Sequence, residues 1–570
     1  MQVFRLNFSA TFASQSPSKL LCLALWLVLP LAFLPLPLSA TIDEGSAVDS
    51  DMTFHSEGSL SASRRIDAAG STADHSKFEQ LQGPFTSGPE VTRACLECHT
   101  EADDQLMQSI HWTWEYRHPE TDQLLGKRHV VNNFCTNARG NEGMCAQCHT
   151  GYNWENNQFD FTRAENIDCL ICHDRTGSYY RPPPTTGNEA CSIMFEGKEP
   201  FDWALVAQDV GQPGRENCGV CHFFGGGGDG VKHGDLDSSL GAPPRALDVH
   251  MDAEGLNFPC TQCHVTEKHL WAGSRYNVVA RDTGGTGKPG MRRDVATCES
   301  CHGTAPHANT EVTGLKLNDH VDRVACQTCH IPAMARGGVA TMTFWDWRTA
   351  GRIRDGVGYK EKNYTQSNGE HRATYKSIKG SFEYDENIVP RYAWFDGRMI
   401  YTTIDTRFDP DEAPIPINRF EGAADDPAAR IWPFKRMHSV QPYDKGNDTL
   451  VYMHLWGDDS DAFWGNYDFG RAIARGMEKN DIPYSGEHGF IETYSYWPIT
   501  HMVAPKEEAL ACAACHSDNG RLADLGGFYL PGRDGRWTDR IGLLLMGGSL
   551  AGVLLHALLR LISAARRRAT

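Results

Sequence analysis

The pattern Cys-x-x-Cys-His occurs eight times in this chain. With 19 cysteines and 24 histidines among 570 residues, chance alone would give far fewer than one copy. In this pattern the two cysteines attach a haem covalently and the histidine binds its iron. A structural zinc site also uses paired cysteines, but it needs no histidine after every second one. The sequence therefore predicts eight covalently attached haem c groups.

We number the motifs 1 to 8 in chain order. They are Cys95/Cys98/His99, Cys145/Cys148/His149, Cys169/Cys172/His173, Cys218/Cys221/His222, Cys260/Cys263/His264, Cys298/Cys301/His302, Cys326/Cys329/His330 and Cys512/Cys515/His516. Three cysteines, Cys22, Cys135 and Cys191, stay outside the motifs.

The spacing of the motifs divides the chain. Seven of them lie close together, so little protein remains there for a conventional core. We predict a mainly α fold with much irregular chain, wrapped around the haems, plus one transmembrane helix. In the segment from Cys95 to His330 we expect almost no sheet, whereas residues 331–511 are hairpin-like in places. The predicted segments are a signal peptide at 1–40, a flexible leader at 41–90, a seven-haem core at 91–335, a haem-free covering region at 336–505, the eighth haem at 506–520, a linker at 521–538, a transmembrane helix at 539–560 and a basic tail at 561–570.

Both ends of the chain carry long apolar runs. Residues 20–38 follow a weakly basic start and end in Leu-Ser-Ala, which indicates a secretory signal cleaved near Ala40; an uncleaved anchor is the alternative. Residues 541–559 carry no formal charge and precede an arginine cluster at 566–568. Positive charge beyond a span favours the cytoplasmic side. We therefore expect the body on the periplasmic side of the inner membrane.

The formal charge of −18 excludes nucleic acid as a partner, because a DNA-binding surface must neutralise phosphates. A small cytochrome or a quinol-oxidising membrane partner is the expected electron donor.

Electron-transfer haems usually carry a second axial ligand, often histidine. The histidines predicted for this role are His233, His250, His269, His307, His320 and His501, with His111 or His438 as the seventh. We assign His118, His129, His371, His454 and His488 to structure, and place His55 and His75 in the leader. Seven histidines for eight haems leave one iron with a different ligand, for which Lys232 is the candidate. It follows a run of four glycines at 225–228, where backbone can turn sharply against a flat group.

The stretch GGGGDGVKHGDLDSS, the sequence NNFC before motif 2 and the eight motifs together resemble the octahaem tetrathionate reductase family of periplasmic cytochromes. That family is related to hydroxylamine oxidoreductases and cytochrome c nitrite reductases, and the resemblance covers roughly residues 90–520. It implies that the haem of motif 2 is the active one, with Lys232 as its distal ligand and with Asp229 and Cys135 lining the pocket. The carboxyl-terminal anchor is not part of the family pattern.

Two further sites have alternatives. Cys135 is a thiol able to exchange with a sulfur–sulfur bond, or it forms a disulfide with Cys191. Asp458, Asp459 and Asp461 either bind calcium or form a solvated loop.

The sequence predicts a reductase of small sulfur or nitrogen compounds such as tetrathionate, nitrite or hydroxylamine. An electron conduit without a substrate is the second hypothesis. The third is an oxidase of hydroxylamine or reduced sulfur with a tyrosine–haem crosslink, for which Tyr152 and Tyr179 lie near the early motifs.

Overall fold

The computed structural model describes residues 71–131, 137–181, 200–282 and 294–569. The chain divides into two compact units, Met1–Ser46 and Ala47–Thr570. The first unit, which contains the predicted signal, lies outside the described residues, as do Cys135 and Cys191.

The region of motifs 1 to 7 consists of short helices and irregular chain. Several helices contain a motif, and the two cysteines three positions apart then lie on one helix face. Motif 6 shows how such a helix starts: the Thr297 side chain accepts a hydrogen bond from the backbone N–H of Ser300. The α-helices, α1 to α14 in chain order, are Gly88–Leu96, Ala102–Met107, Ile110–Thr113, Glu142–Cys145, Leu170–His173, Trp203–Gln208, Arg215–His222, Cys298–His302, Val312–His320, Cys326–His330, Phe463–Asn466, Phe469–Lys479, Cys512–Cys515 and Arg536–Ala569.

The haem-free region forms a nine-stranded sheet, so the prediction of a mainly α fold is wrong for this region. Its residues are rich in aromatic and β-branched side chains, which favour the pleated surface of a sheet. The strands of the whole described chain, in the large sheet and in five two-stranded sheets, are numbered β1 to β19. They are Tyr116–Arg117, Leu124–Leu125, Thr266–Glu267, Leu270–Trp271, Thr341–Asp346, Ile353–Arg354, Val357–Gly358, Lys360–Glu361, Tyr364–Thr365, His371–Arg372, Tyr375–Lys376, Gly380–Asp385, Arg391–Phe395, Met399–Tyr401, Ile415–Pro416, Asn418–Phe420, Arg430–Asp444, Thr449–Leu450 and His488–Pro498.

The long strand β17 is the centre of this sheet. It pairs antiparallel with β19 from Phe434↔Pro498 to Asp444↔His488 and parallel with β5 through His438↔Phe344. The sheet runs in the order β15-β19-β17-β5-β12-β11-β8, and β13 and β18 also pair with β17. Most of β17 is buried, because the strand has neighbours along both edges and packing on its faces.

Helix α12 covers part of this sheet. Asp468 caps its start by accepting a hydrogen bond from the Arg471 backbone, and Ala472, Ile473 and Met477 on one helix face are fully buried. They pack in the largest hydrophobic cluster, with Trp345 and Trp347. The covering region therefore has a core of its own.

The described part of the predicted flexible leader, residues 71–90, is folded. Leu81 is buried in a cluster with Val206 of α6, and the Gln208 side chain donates to the Leu81 carbonyl at 2.8 Å. The flexible leader therefore does not extend over these residues.

Helix α14 is long and apolar enough to cross a membrane. Within Trp537–Arg568, the most apolar 18 residues have a mean hydropathy of 2.0, and none of these residues is buried. The helix starts at Arg536, inside the predicted linker. The rest of that linker packs on the body, where Leu522 and Leu530 are buried.

Candidate haem sites and the exceptional second motif

Seven of the eight motif histidines face a second histidine ring. A metal–imidazole bond is about 2 Å long, so two imidazoles on opposite sides of one metal ion have ring centroids about 6 Å apart. The observed centroid distances fit this arrangement. The pairs are His75–His99 at 6.3 Å, His111–His222 at 6.1 Å, His173–His269 at 6.3 Å, His250–His302 at 6.1 Å, His264–His501 at 6.4 Å, His307–His330 at 6.4 Å and His320–His516 at 6.0 Å.

The hydrogen bonds of these rings leave the correct nitrogen for a metal. Nδ1 of His173, His264 and His516 lies 2.7–3.0 Å from a backbone carbonyl. On the facing side, Nδ1 of His320 lies 2.6 Å from the Lys316 carbonyl, and Nδ1 of His501 lies 3.2 Å from Asp235. A bond at Nδ1 fixes the ring orientation and leaves Nε2 to bind iron. The residues present thus fit haem iron with two axial imidazoles.

The pairs place most of the predicted distal histidines opposite a motif histidine. Of the two candidates for the seventh position, His111 faces His222, whereas His438 is exposed on β17. His233 was predicted as a ligand, yet among the described residues no histidine ring lies against it; burial lowers its pKa well below the usual value. His75 takes a place opposite His99 that the sequence did not suggest, because it follows a polar stretch that indicated a leader.

The motif cysteines differ in how far the protein covers them. In motif 1 the Cys95 thiol forms a hydrogen bond with that of Cys169, whereas Cys98 is exposed. In motif 6 the Cys298 thiol forms one with that of Cys326, whereas Cys301 is exposed.

Four motif cysteines are exposed in this way, and in each of their motifs the other cysteine is half-buried. The four are Cys98, Cys263, Cys301 and Cys512. Their motifs lie at the surface of the body, so one cysteine is covered by its surroundings while the other faces solvent. Their assignment as haem attachment sites rests on the motif itself.

Motif 2 differs from the other seven. His149 is completely buried within a cage of aromatic rings, with Trp154, Trp112 and Trp114 at centroid distances of 4.5, 5.1 and 5.5 Å. Its Nε2, the nitrogen that the paired rings leave for iron, lies 2.6 Å from the Trp112 carbonyl, while Nδ1 is buried with no hydrogen-bond partner. The hydrogen bonding of this ring is therefore the reverse of that in the paired sites. No described histidine other than His149 itself contributes a ring to this cage.

Lys232 lies near motif 2. Its charge acts on the Cys148 thiol, whose pKa falls to about 6, mainly through a hydrogen bond with Cys221 and also through Lys127, Arg181 and Lys232. The glycine run makes room for Lys232, since a Cβ at Gly226 would lie 2.9 Å from the Cβ of Lys232. The charge of Lys232 also acts on His222 of motif 4, and its role as the distal ligand of motif 2 stays a prediction.

Asp229 and Asp237 are two carboxyl groups on either side of Lys232 in sequence. Asp229 accepts hydrogen bonds from the backbone and the hydroxyl of Ser238, and burial raises its pKa. Arg372 approaches it at 4.0 Å. Burial and the charge of Asp229 raise the pKa of Asp237 to about 7, so this carboxyl group exchanges a proton near neutral pH.

A buried polar network joins motifs 2 and 3. Asp168 accepts hydrogen bonds of 2.9 Å from the hydroxyls of Tyr152 and Tyr179 and from Nε of Arg181. Arg181 also donates to the carbonyls of Ala146 and Gln147 inside motif 2. The two tyrosines considered for a crosslink are thus engaged with a carboxylate.

The motifs form a continuous series in space. Cysteine side chains of motifs 1 and 3, 2 and 4, 4 and 5, and 6 and 7 lie close enough to interact with each other. Motif 7 meets motif 8, where the charges of Cys512 and Cys515 act on Cys329. Motif 5 meets motif 6, because the Cys263 carbonyl accepts a hydrogen bond from the Ala296 backbone at 2.9 Å. Motif 3 meets motif 4, since the Asn217 side chain donates to the Asp174 carbonyl at 3.0 Å.

In the acidic cluster considered for calcium, Asp459 and Asp461 interact with basic side chains of the protein. Asp459 pairs with Lys479 at 3.2 Å and with His454 at 2.9 Å, and Asp461 pairs with Arg471 at 2.7 Å. Among the described residues no group of three acidic, histidine or cysteine side chains is arranged to hold a metal ion.

Three comparisons agree with this architecture. A family model described as "Cytochrome c bacterial" matches residues 342–519. An uncharacterized protein of Archaeoglobus fulgidus is 23% identical over 254 residues, which cover 37% of this chain and 84% of that protein. The crystal structure of octaheme cytochrome c from Shewanella oneidensis is 39% identical, with a TM-score of 0.67, and the match covers 79% of this chain and 95% of that one. The chain belongs to the family of octahaem c-type cytochromes.

Proposed function

We propose that this cytochrome carries one haem c on each of its eight motifs and is a periplasmic, membrane-anchored reductase of small sulfur and nitrogen compounds such as tetrathionate, nitrite and hydroxylamine. The reaction takes place at motif 2, with Lys232 as the distal ligand. The observation that carries the proposal is the contrast between His149, which faces no described imidazole, and the seven paired motif histidines.

The side chains around motif 2 suit an anion. When bound, the haem supplies electrons and an iron atom whose sixth ligand can be exchanged. Lys127 lies 3.4 Å from the Cys145 carbonyl and 4.4 Å above the Trp114 ring, and Arg181 holds the other side of the motif. Asp168 balances the charge of Arg181, so Lys127 and Lys232 supply the positive potential that attracts small anions. Asp237 and Asp229 provide carboxyl groups for proton transfer, and Cys135 remains a predicted pocket residue outside the described part of the chain.

Electrons would enter at the membrane end. His516 of motif 8 donates from Nδ1 to the Pro531 carbonyl at 3.0 Å, and nearby Tyr529 donates to Asp539 of α14 at 2.6 Å. From motif 8 the adjacent motifs lead through 7, 6, 5 and 4 to motif 2. A quinol-oxidising membrane partner suits this end, and a small cytochrome is the alternative donor.

Lys232→Ala tests the proposal. With a reduced dye as donor, we expect kcat/KM for tetrathionate or nitrite to fall about 100-fold, because a positively charged group at the reacting atoms is lost. Electron paramagnetic resonance should show one distinct haem signal in the wild type that changes in the variant, while the other seven persist. His438→Ala is the control. Eight indistinguishable bis-imidazole signals in the wild type would refute the proposal.

An electron conduit without a substrate is the second candidate, and the continuous series of paired histidines favours it. The same assay separates the two functions. A conduit would show no turnover with tetrathionate, nitrite or hydroxylamine, although its haems would be reduced normally by the dye.

A further inference from the structure

Four consecutive backbone carbonyls around Lys232 are held by two side chains of the covering sheet. Nζ of Lys435 donates to the carbonyls of Val231 and Lys232 at 2.8 and 2.9 Å. The hydroxyl of Thr341 lies 2.7 Å from the Gly230 carbonyl and 2.9 Å from that of His233. We call residues 230–233 the ligand turn.

The two side chains also bind each other. Nζ of Lys435 donates to the Thr341 hydroxyl at 2.6 Å, which leaves the hydroxyl proton free to bond a carbonyl of the ligand turn. Burial lowers the pKa of Lys435 well below its usual value, and Nζ lies within hydrogen-bond distance of all three acceptors. Lys435 is fully buried and lies 5.6 Å from the centre of the Trp497 ring. A buried lysine is costly unless its donors are satisfied, so its place here is specific to these acceptors.

The backbone of the ligand turn is closely fitted to the same sheet. Gly230 has a φ of +63°, and a Cβ there would lie 3.0 Å from both the Ala340 carbonyl and the Val339 side chain. Just after the turn, the Ala335 backbone N–H donates to the Gly234 carbonyl. The position of Lys232 is therefore set by strands β5 and β17 and the chain leading into β5, which come much later in sequence.

We infer that Lys435 and Thr341 are positioning residues for the reductase site: together they fix the ligand turn so that the Lys232 amine is held at motif 2. This inference rests on the proposed role of Lys232. The covering sheet then has a role in the site, because strands β5 and β17 carry the two side chains that hold the distal ligand in place.

Matched variants of the full-length holoprotein test this. Thr341→Val removes the hydroxyl at nearly constant volume, whereas Thr341→Ser retains it. Lys435→Met removes the amino group that bonds to the turn and to Thr341. Lys379→Met is its control, because Lys379 is another buried lysine of the covering region, near Trp345 and Trp464. The measurements are the electron paramagnetic resonance spectrum, the rate of cyanide binding to the oxidised protein, and the melting temperature.

We expect Thr341→Val and Lys435→Met to weaken the distinct haem signal and to speed cyanide binding about tenfold, because unsatisfied carbonyls loosen the turn. Thr341→Ser and Lys379→Met should keep the wild-type spectrum and binding rate, and the seven other signals should persist in every variant.

A wild-type spectrum and cyanide rate in Thr341→Val would overturn the inference, even if Lys435→Met fails to fold. Lys232→Ala separates this failure from that of the proposed function. If Lys232→Ala alters the distinct signal while Thr341→Val does not, only the positioning role is refuted. If Lys232→Ala also leaves the spectrum unchanged, both fall.

Discussion

The two nitrogens of each imidazole have separate tasks in the paired sites. In His173 and His264, Nδ1 bonds to a backbone carbonyl, so Nε2 faces the opposite ring. The motif histidines are predictable from sequence because the attachment pattern is local. Their partners are not, since His501 approaches His264 only through the three-dimensional fold. The pairing of His75 with His99 could not be predicted for the same reason. Nothing in the sequence around Lys435 indicates that it contacts the backbone near Lys232.

His75→Ala should leave the iron of motif 1 without its second imidazole. We expect one additional high-spin haem, seen in the optical and electron paramagnetic resonance spectra of the oxidised protein, because a five-coordinate iron loses the strong field of a second nitrogen. His438→Ala is the control, since this exposed side chain faces no motif histidine. If both variants have wild-type spectra, His75 is not a ligand.

At the scale of elements, the sheet was the main feature that the sequence did not reveal. Strand β17 is almost continuously buried, so it lacks the alternation of apolar and polar residues that identifies a half-buried strand. Its partners β5 and β19 are distant in sequence, and strand pairing of this kind is not encoded locally. The helices that carry the motifs were predictable in kind, whereas their lengths depend on the contacts around them.

Gly476 of α12 tests how closely this helix is packed on the covering region. A Cβ there would fall against the Tyr452 carbonyl and lie 2.7 Å from the His454 backbone nitrogen. Gly476→Ala should lower the free energy of unfolding by about 1–3 kcal/mol, because the helix must move away from residues 452–454. The measurement is urea unfolding followed by circular dichroism.

Gly465→Ala is the matched control, since a Cβ at that helical position meets no atom within 4 Å. It should leave stability unchanged or raise it slightly, because alanine favours helix. Equal stability of the two variants would contradict the close packing of α12.

From residue 71 onward, the described chain is a folded body of motif region and covering sheet that continues into an exposed apolar helix. The last motif lies beside the segment that enters this helix, and the neighbouring motifs lead from there to motif 2. The presence of a carboxyl-terminal apolar helix was readable from the sequence, because its length and composition are sufficient evidence. The spatial order of the motifs was not, since it differs from their order along the chain.

Removing residues 536–570 should release the protein from membranes. Because all eight motifs precede this segment, we expect the haem content and the dye-driven turnover to equal those of the full-length protein. Alkaline carbonate extraction of membranes, followed by haem staining of both fractions, measures the release. A truncated protein that stays with the membranes would show that the helix is not the anchor.

The ligand turn and the lysine that holds it are 203 residues apart. Since a ribosome makes the amino end first, motif 2 and Lys232 emerge well before β17 exists. The haem can therefore be attached to Cys145 and Cys148 while the distal side is still open, and the amine is locked only when the last strands arrive. The proposed reactive centre is thus made early in the chain and is among the last parts to be closed.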